Sequence, residues 1–252
     1  MLHQDPLPTG LFFFLSFSIP FLAGCAHAPE GSVTVNAKDP GDRFTFSPEQ
    51  ARHHYLQPFV HWAIEDIKAF PDRETIVFIG SSSIKMWDSL EEDLAPLPVL
   101  NRGFGGSTMR DVNTFIDFFT RYESRRIVVY EGDNDLVGQE SSIERDFLDS
   151  CRKFIRQWRE SLPGTVIYFL SIKPSPAREK ATGRYREANR RLASICEGDD
   201  RLHFIDIFTP MLDEDGNIRP ELYVADGIHM NAEGYALWTR LIRKHLFSPV
   251  DQ

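Results

Sequence analysis

Four short stretches of this chain combine glycine with side chains able to attack, accept a proton or donate a hydrogen bond. Gly80-Ser81-Ser82-Ser83-Ile84 places three hydroxyls directly after an apolar run. A serine oxygen becomes a useful nucleophile when a neighbouring base takes its proton. Serines also cap helices, and the segment lacks the second glycine of a G-x-S-x-G elbow, which argues against an α/β-hydrolase. Asn101-Arg102-Gly103-Phe104-Gly105-Gly106-Ser107 can turn backbone N–H groups toward an anion or a carbonyl oxygen. It lacks the Gly-Lys-Ser/Thr ending of a phosphate-binding loop. In Glu131-Gly132-Asp133-Asn134-Asp135 the Asn134 amide could face a developing oxyanion. The three acids there could instead hold a divalent cation or cap a turn; no second acidic cluster completes a metal site, and none is assigned. Lastly, Asp226-Gly227-Ile228-His229 sets an acid three residues ahead of a histidine. That acid can reach Nδ1 within one turn, leaving Nε2 to accept a proton. Each signal is weak alone.

The elements around these stretches strengthen them. Apolar, β-rich runs occur at Thr75–Ile79, Arg126–Tyr130, Thr165–Leu170 and Leu202–Ile207, with a brief run at Val99–Asn101. Helical periodicity fills the intervals, as in Ile143, Phe147, Cys151, Phe154 and Trp158, and again over Ala232–Leu246. Ser47-Pro48-Glu49-Gln50 reads as a helix start, with an interruption expected near Pro58. Strands alternating with helices imply a three-layer α/β/α sandwich around a central, mainly parallel five-stranded sheet. Ligands of such sheets bind beyond the C-terminal strand ends. All four stretches fall there.

Composition narrows the class. The 252 residues include 37 acidic and 28 basic side chains, a net charge of −9, which argues against nucleic acid as a partner. Leu11–Leu22 is an apolar run too short to span a bilayer and of signal-peptide length. Leu22-Ala23-Gly24-Cys25 follows and resembles a bacterial lipobox, although the first ten residues carry no Lys or Arg. The expected organisation is a signal peptide over 1–25 ending at a lipidated Cys25, a tether over 26–46 and a folded domain over 47–252. Membrane contact would come only through that lipid anchor, at a bacterial cell envelope facing the periplasm or exterior. Without lipidation the protein would be secreted. Cys151 and Cys196 read as buried free thiols, with a disulfide as the alternative.

Taken in order, Gly80-Ser81-Ser82, Asn101–Gly106, Gly132-Asp133-Asn134-Asp135 and Asp226-Gly227-Ile228-His229 resemble the four blocks of the SGNH/GDSL hydrolase superfamily. The resemblance covers about Thr75 to Leu246 and implies a serine esterase or acylhydrolase that needs no cofactor. It implies Ser82 as nucleophile, His229 as base and Asp226 as its orienter. Ser82 N–H, Gly106 N–H and the Asn134 amide would form the oxyanion hole. The family's usual Gly-Asp-Ser is Gly-Ser-Ser here, which leaves Ser81 and Ser83 as competing hydroxyls. Expected substrates are small acyl esters, acetyl among them, of carbohydrates or lipids. Rival readings are a glycan-binding envelope lipoprotein on the same fold and an acyltransferase using the same site. Trp87, Phe104 and Met109 are expected in the core, with an acyl-pocket wall as the alternative.

Overall fold

The computed structural model describes residues 30–35 and 44–247; the leader and Cys25 lie outside the described residues. Strands β1 (Val33–Val35) and β2 (Phe44–Phe46) pair antiparallel. Both lie in the stretch expected to be a tether, so that boundary is corrected. Phe46 is fully buried, and Val33, Val35 and Phe44 pack on the same core. Period-two alternation puts these apolar side chains on one face, while the Thr34 and Thr45 hydroxyls bond across the other at 3.0 Å. Runs of three residues among Pro, Gly and Asp are too short to stand out.

The helices are α1 (Pro48–Ala51), α2 (Leu56–Lys68), α3 (Ser82–Lys85), α4 (Leu90–Leu94), α5 (Met109–Thr114), α6 (Ile116–Thr120), α7 (Asp149–Ser161), α8 (Thr182–Cys196) and α9 (Ala232–Leu246). Ser47 caps α1 as expected: its Oγ accepts the Gln50 N–H, and Gln50 Oε1 accepts the Ser47 N–H. The interruption expected near Pro58 comes earlier. Helix α2 opens at Leu56, so Pro58 sits in its first turn, where no amide donor is needed.

Strands β3 (Ile76–Gly80), β4 (Val99–Gly103), β5 (Arg126–Tyr130), β6 (Val166–Leu170) and β7 (Leu202–Ile205) form one parallel sheet in the order β4-β3-β5-β6-β7. Successive side chains alternate faces. Val77, Ile79, Ile127 and Val129 enter one core with α2 and α5–α8. Ile76, Phe78, Val128 and Tyr130 enter the other with α3, α4 and α9. The expected three-layer α/β/α architecture is the observed one.

A π-helical turn, Ile143–Leu148, leads into α7 and keeps Phe147, Cys151, Phe154 and Trp158 buried. Cys151 and Cys196 are buried free thiols. Trp87, Phe104 and Met109 are core residues.

The topology itself makes the crevice. From β3 the chain moves to β4 on one side, then returns past β3 to β5 on the other. At such a switch point the connections leave in opposite directions and open a cleft above the strand ends. Three of the four chemical stretches leave from these adjacent strands.

Candidate active site

Ser82 is the first residue of α3, two residues beyond the end of β3. Gly80 is required there by proximity: a Cβ on it would lie 2.4 Å from the Tyr130 carbonyl oxygen. Strand β3 can thus lie tight against β5. Of the three serines, Ser81 and Ser83 are buried, and Ser81 Oγ turns to Asp133 Oδ1 at 3.4 Å. Ser82 Oγ instead stands 2.9 Å from His229 Nε2.

His229 Nδ1 lies 2.6 Å from Asp226 Oδ2. The other oxygen, Oδ1, accepts the N–H of Ile228 at 2.8 Å and that of His229 at 2.9 Å. These bonds hold the Asp226 carboxyl down at about 2; the His229 backbone N–H contributes most, followed by that of Ile228 and then the imidazole. An ionised carboxylate only accepts, so Nδ1 carries the proton and Nε2 presents a lone pair to Ser82. The loop is fixed at both ends. Val224 N–H donates to the His229 carbonyl at 2.9 Å, and Asn231 caps α9 by accepting the Glu233 and Gly234 N–H groups.

The other two stretches, from which oxyanion donors are expected, are tied to each other and to α3. Gly106 has φ of +85°, a conformation that costs a side-chain-bearing residue but not glycine. Asn134 Nδ2 donates to the Ser107 carbonyl at 2.9 Å, which leaves its second N–H available. Asn101 ties the glycine loop to α3: Nδ2 donates to the Ile84 carbonyl at 2.7 Å, and Oδ1 accepts the Gly103 N–H at 2.9 Å. The buried acids act as posts beneath these loops. Glu131 Oε1 accepts from Ser107 Oγ at 2.6 Å, and Asp135 Oδ1 accepts the Met109 N–H at 3.0 Å. Burial pushes both carboxyls up, Asp135 to about 7.

Several residues here gave no signal in the sequence. Arg178 NH2 donates to Asn134 Oδ1 at 2.9 Å, and NH1 donates to the Asp133 carbonyl at 2.9 Å. Lys173, fully buried, lies 3.4 Å from Asp133 Oδ2. The Tyr55 hydroxyl reaches the loop at Gly106, 3.1 Å from where a Cβ would stand. Beside α5, His53, His54 and Asp111 bring ligand-type atoms within 4.8 Å of one another. His53 Nδ1 accepts the Tyr55 N–H at 3.3 Å, so Nε2 is the protonated nitrogen and donates to Asp111 Oδ1 at 3.2 Å. As arranged, this is a histidine–carboxylate hydrogen bond. A cleft of about 600 Å³ adjoins the glycine loop, lined by Trp62, Lys85, Asn101 and Phe104 among others.

A serine, an imidazole and a carboxylate thus stand in hydrogen-bonding sequence on the rim of a parallel sheet. The chain belongs to the GDSL-like Lipase/Acylhydrolase family, whose model matches residues 80–237. No curated protein sequence matches it significantly. Solved structures do share the fold. A GDSL-like lipase from Bacteroides thetaiotaomicron is 18% identical, covering 76% of this chain and 98% of its own, with a TM-score of 0.65. An acetyl xylan esterase from Geobacillus stearothermophilus is 16% identical over 72% of this chain and 98% of that one, at a TM-score of 0.53. The C-terminal catalytic domain of a peptidoglycan O-acetyltransferase from Streptococcus pneumoniae is 15% identical over 71% and 95%, also at 0.53. The protein is therefore an SGNH/GDSL-type acylhydrolase. At these identities the neighbours speak for the fold, and substrate choice must be argued from the site.

Proposed function

We propose that this protein is a serine esterase that removes small acyl groups, acetyl foremost, from carbohydrate esters. Ser82 Oγ attacks the ester carbonyl as His229 Nε2 takes its proton. The imidazolium then gives that proton to the departing alcohol, leaving the acyl group on Ser82. A water, deprotonated by His229, attacks the acyl carbon; the bond to Ser82 Oγ breaks, the imidazolium returns its proton to Oγ, and the acid leaves. Through both steps Asp226 stays ionised and balances the charge that forms on the ring. The N–H groups of Ser82 and Gly106 and the free N–H of Asn134 face the oxygen on which negative charge develops.

The observation that carries this reading is the continuous hydrogen-bonded path from Asp226 through His229 to Ser82, at 2.6 Å and 2.9 Å. Two features favour a small acyl group on a hydrophilic alcohol. The relay is open to solvent, with the His229 and Asp226 side chains 25% and 45% exposed. Trp87, Phe104 and Met109, the large apolar side chains near the motifs, are buried in the core, so they offer no wall to a long acyl chain.

The test is turnover of p-nitrophenyl esters of increasing chain length, with labelling by a fluorophosphonate probe. Wild-type protein should be labelled and should hydrolyse acetate faster than octanoate; Ser82→Ala should do neither. Labelling and turnover that persist in Ser82→Ala would remove the mechanism, and a preference for octanoate would remove the substrate class. Lipidation at Cys25 would place this activity at the bacterial envelope. Incorporation of labelled palmitate that is lost in Cys25→Ala supports that placement, and none in the wild type rejects it.

A further inference from the structure

The connection between β6 and α8 was silent in the sequence, yet it touches both halves of the site. Ala177 N–H donates to the Gly227 carbonyl at 3.1 Å, joining it to the loop that carries Asp226 and His229. One residue later, Arg178 bonds to the other half. Its NH1 donates to the Asp133 carbonyl at 2.9 Å and lies 3.2 Å from Asp133 Oδ2; its NH2 donates to Asn134 Oδ1 at 2.9 Å.

We propose that Arg178 is a positioning residue that locks the Asn134 amide with its N–H edge toward the oxyanion, held in place by a buried Asp133–Lys173 pair. The inference rests on the functional reading above, in which Asn134 supplies an oxyanion donor.

The chemistry of the partners permits one amide orientation. A guanidinium has donors only, so the Asn134 atom it meets is the carbonyl oxygen. The Ser107 carbonyl only accepts, so the atom 2.9 Å from it is the amide nitrogen. A flipped amide would set oxygen against oxygen at Ser107 and N–H against N–H at Arg178. The second N–H of Nδ2 is consequently aimed without any reorganisation during the reaction, the condition under which an oxyanion donor is most effective.

The support is itself anchored. Asp133 is 2% exposed and Lys173 not at all, with Nζ 3.4 Å from Oδ2. The Asp133 carbonyl accepts a second bond from the Tyr185 hydroxyl at 2.8 Å, so the peptide leading into Asn134 is held from two directions. Arginine suits this place because its planar fork reaches both Asp133 and Asn134 at once, which an ammonium on a single stem does not. The contacts run across 44 and 45 residues of chain.

The experiment compares wild type, Arg178→Ala, Arg178→Lys, Asn134→Ala, Arg178→Ala/Asn134→Ala and Ser82→Ala as full chains, reading kcat and KM on p-nitrophenyl acetate with a thermal melt of each. Arg178→Ala should lower kcat about 10- to 100-fold, the scale on which small misplacement of a catalytic group acts. Its KM should stay within about twofold, since the contact matters in the transition state. Arg178→Lys, which keeps the charge beside Asp133, should retain the wild-type melting temperature and still lose about tenfold or more in kcat. In the double variant the Arg178 change should cost little beyond Asn134→Ala, because its effect passes through that amide.

A wild-type kcat in Arg178→Lys, or full multiplication of the two single losses in the double variant, overturns the proposal. Should Arg178→Ala fail to fold, the lysine variant alone decides. If Ser82→Ala stays active, the functional reading has failed instead. If Ser82→Ala and Asn134→Ala are both crippled while Arg178 variants are normal, only the positioning role has.

Discussion

Asn134 and Ser107 are 27 residues apart in the chain and 2.9 Å apart in space, the amide nitrogen of one donating to the carbonyl of the other. This bond ties the loop after β5 to the loop after β4. In the proposed mechanism these are the two loops that supply oxyanion donors beside Ser82, so the bond links one donor's position to the other's.

That coupling sets the expectation for Asn134→Ala. The variant loses one oxyanion donor and the tie to the glycine loop, so kcat should fall about 10²- to 10³-fold. Steady-state kinetics on p-nitrophenyl acetate check it; a fall below tenfold would mean the amide does not face the reacting oxygen.

Asp226→Asn tests the tautomer. The amide can present N–H to Nδ1, driving the ring proton to Nε2, where it faces Ser82 and blocks base catalysis. A loss of roughly 10³- to 10⁴-fold in kcat is expected, with folding retained. The carboxyl also has a predictable pH signature. Its native value of about 2 lies below the ordinary carboxylate value, so its contribution to stability is present above about pH 4 and is lost as pH falls through about 2. Acid melts of wild type and Asp226→Asn should converge across that window.

The buried acids Glu131 and Asp135 act in the opposite sense. Burial raises Asp135 to about 7 and holds Glu131 well above its ordinary value. Between about pH 4 and 7 the native state keeps a proton that the unfolded chain has already released, so stability falls as pH rises. Glu131→Gln keeps an acceptor for the Ser107 hydroxyl and has nothing to ionise. Its melting temperature should decline less than the wild type's between pH 5 and 8, a comparison made by calorimetry.

Gly80→Ala tests the seating of β3 against β5. The new methyl would lie 2.4 Å from the Tyr130 oxygen and 2.8 Å from Ile84 Cγ1, and the first of these is backbone. Strands β3 and β5 would have to separate, so a loss of about 2–4 kcal/mol is expected, in the range of severe overpacking. Denaturant unfolding measures it; a loss under about 0.5 kcal/mol would show that the strands yield easily.

Much of this protein was legible because local chemistry is written locally. The capping box at Ser47, the bounds of α9 and the Asp226–His229 contact each depend on residues within a few positions of one another. Five apolar runs between helical intervals were enough to imply the sheet, and the rule of strand ends was enough to gather four stretches on one rim. Even Ser82 among three serines could be favoured, although its two neighbours became distinguishable only once their hydroxyls were seen buried.

Other features were decided by the tertiary structure. In the sequence Lys173 and Arg178 are basic residues in a proline-containing connection, indistinguishable from a solvated loop; only folding turns one into a buried partner of Asp133 and the other into a clamp on Asn134. Strands β1 and β2 are likewise too short to announce themselves, and exist because the exposed flank of one core accepts Phe46. The division has a physical cause. Helix caps and single-turn contacts follow from the geometry of a few adjacent residues, whereas a buried charge network depends on which distant segments the sheet brings together, and that is settled by the packing of the whole chain.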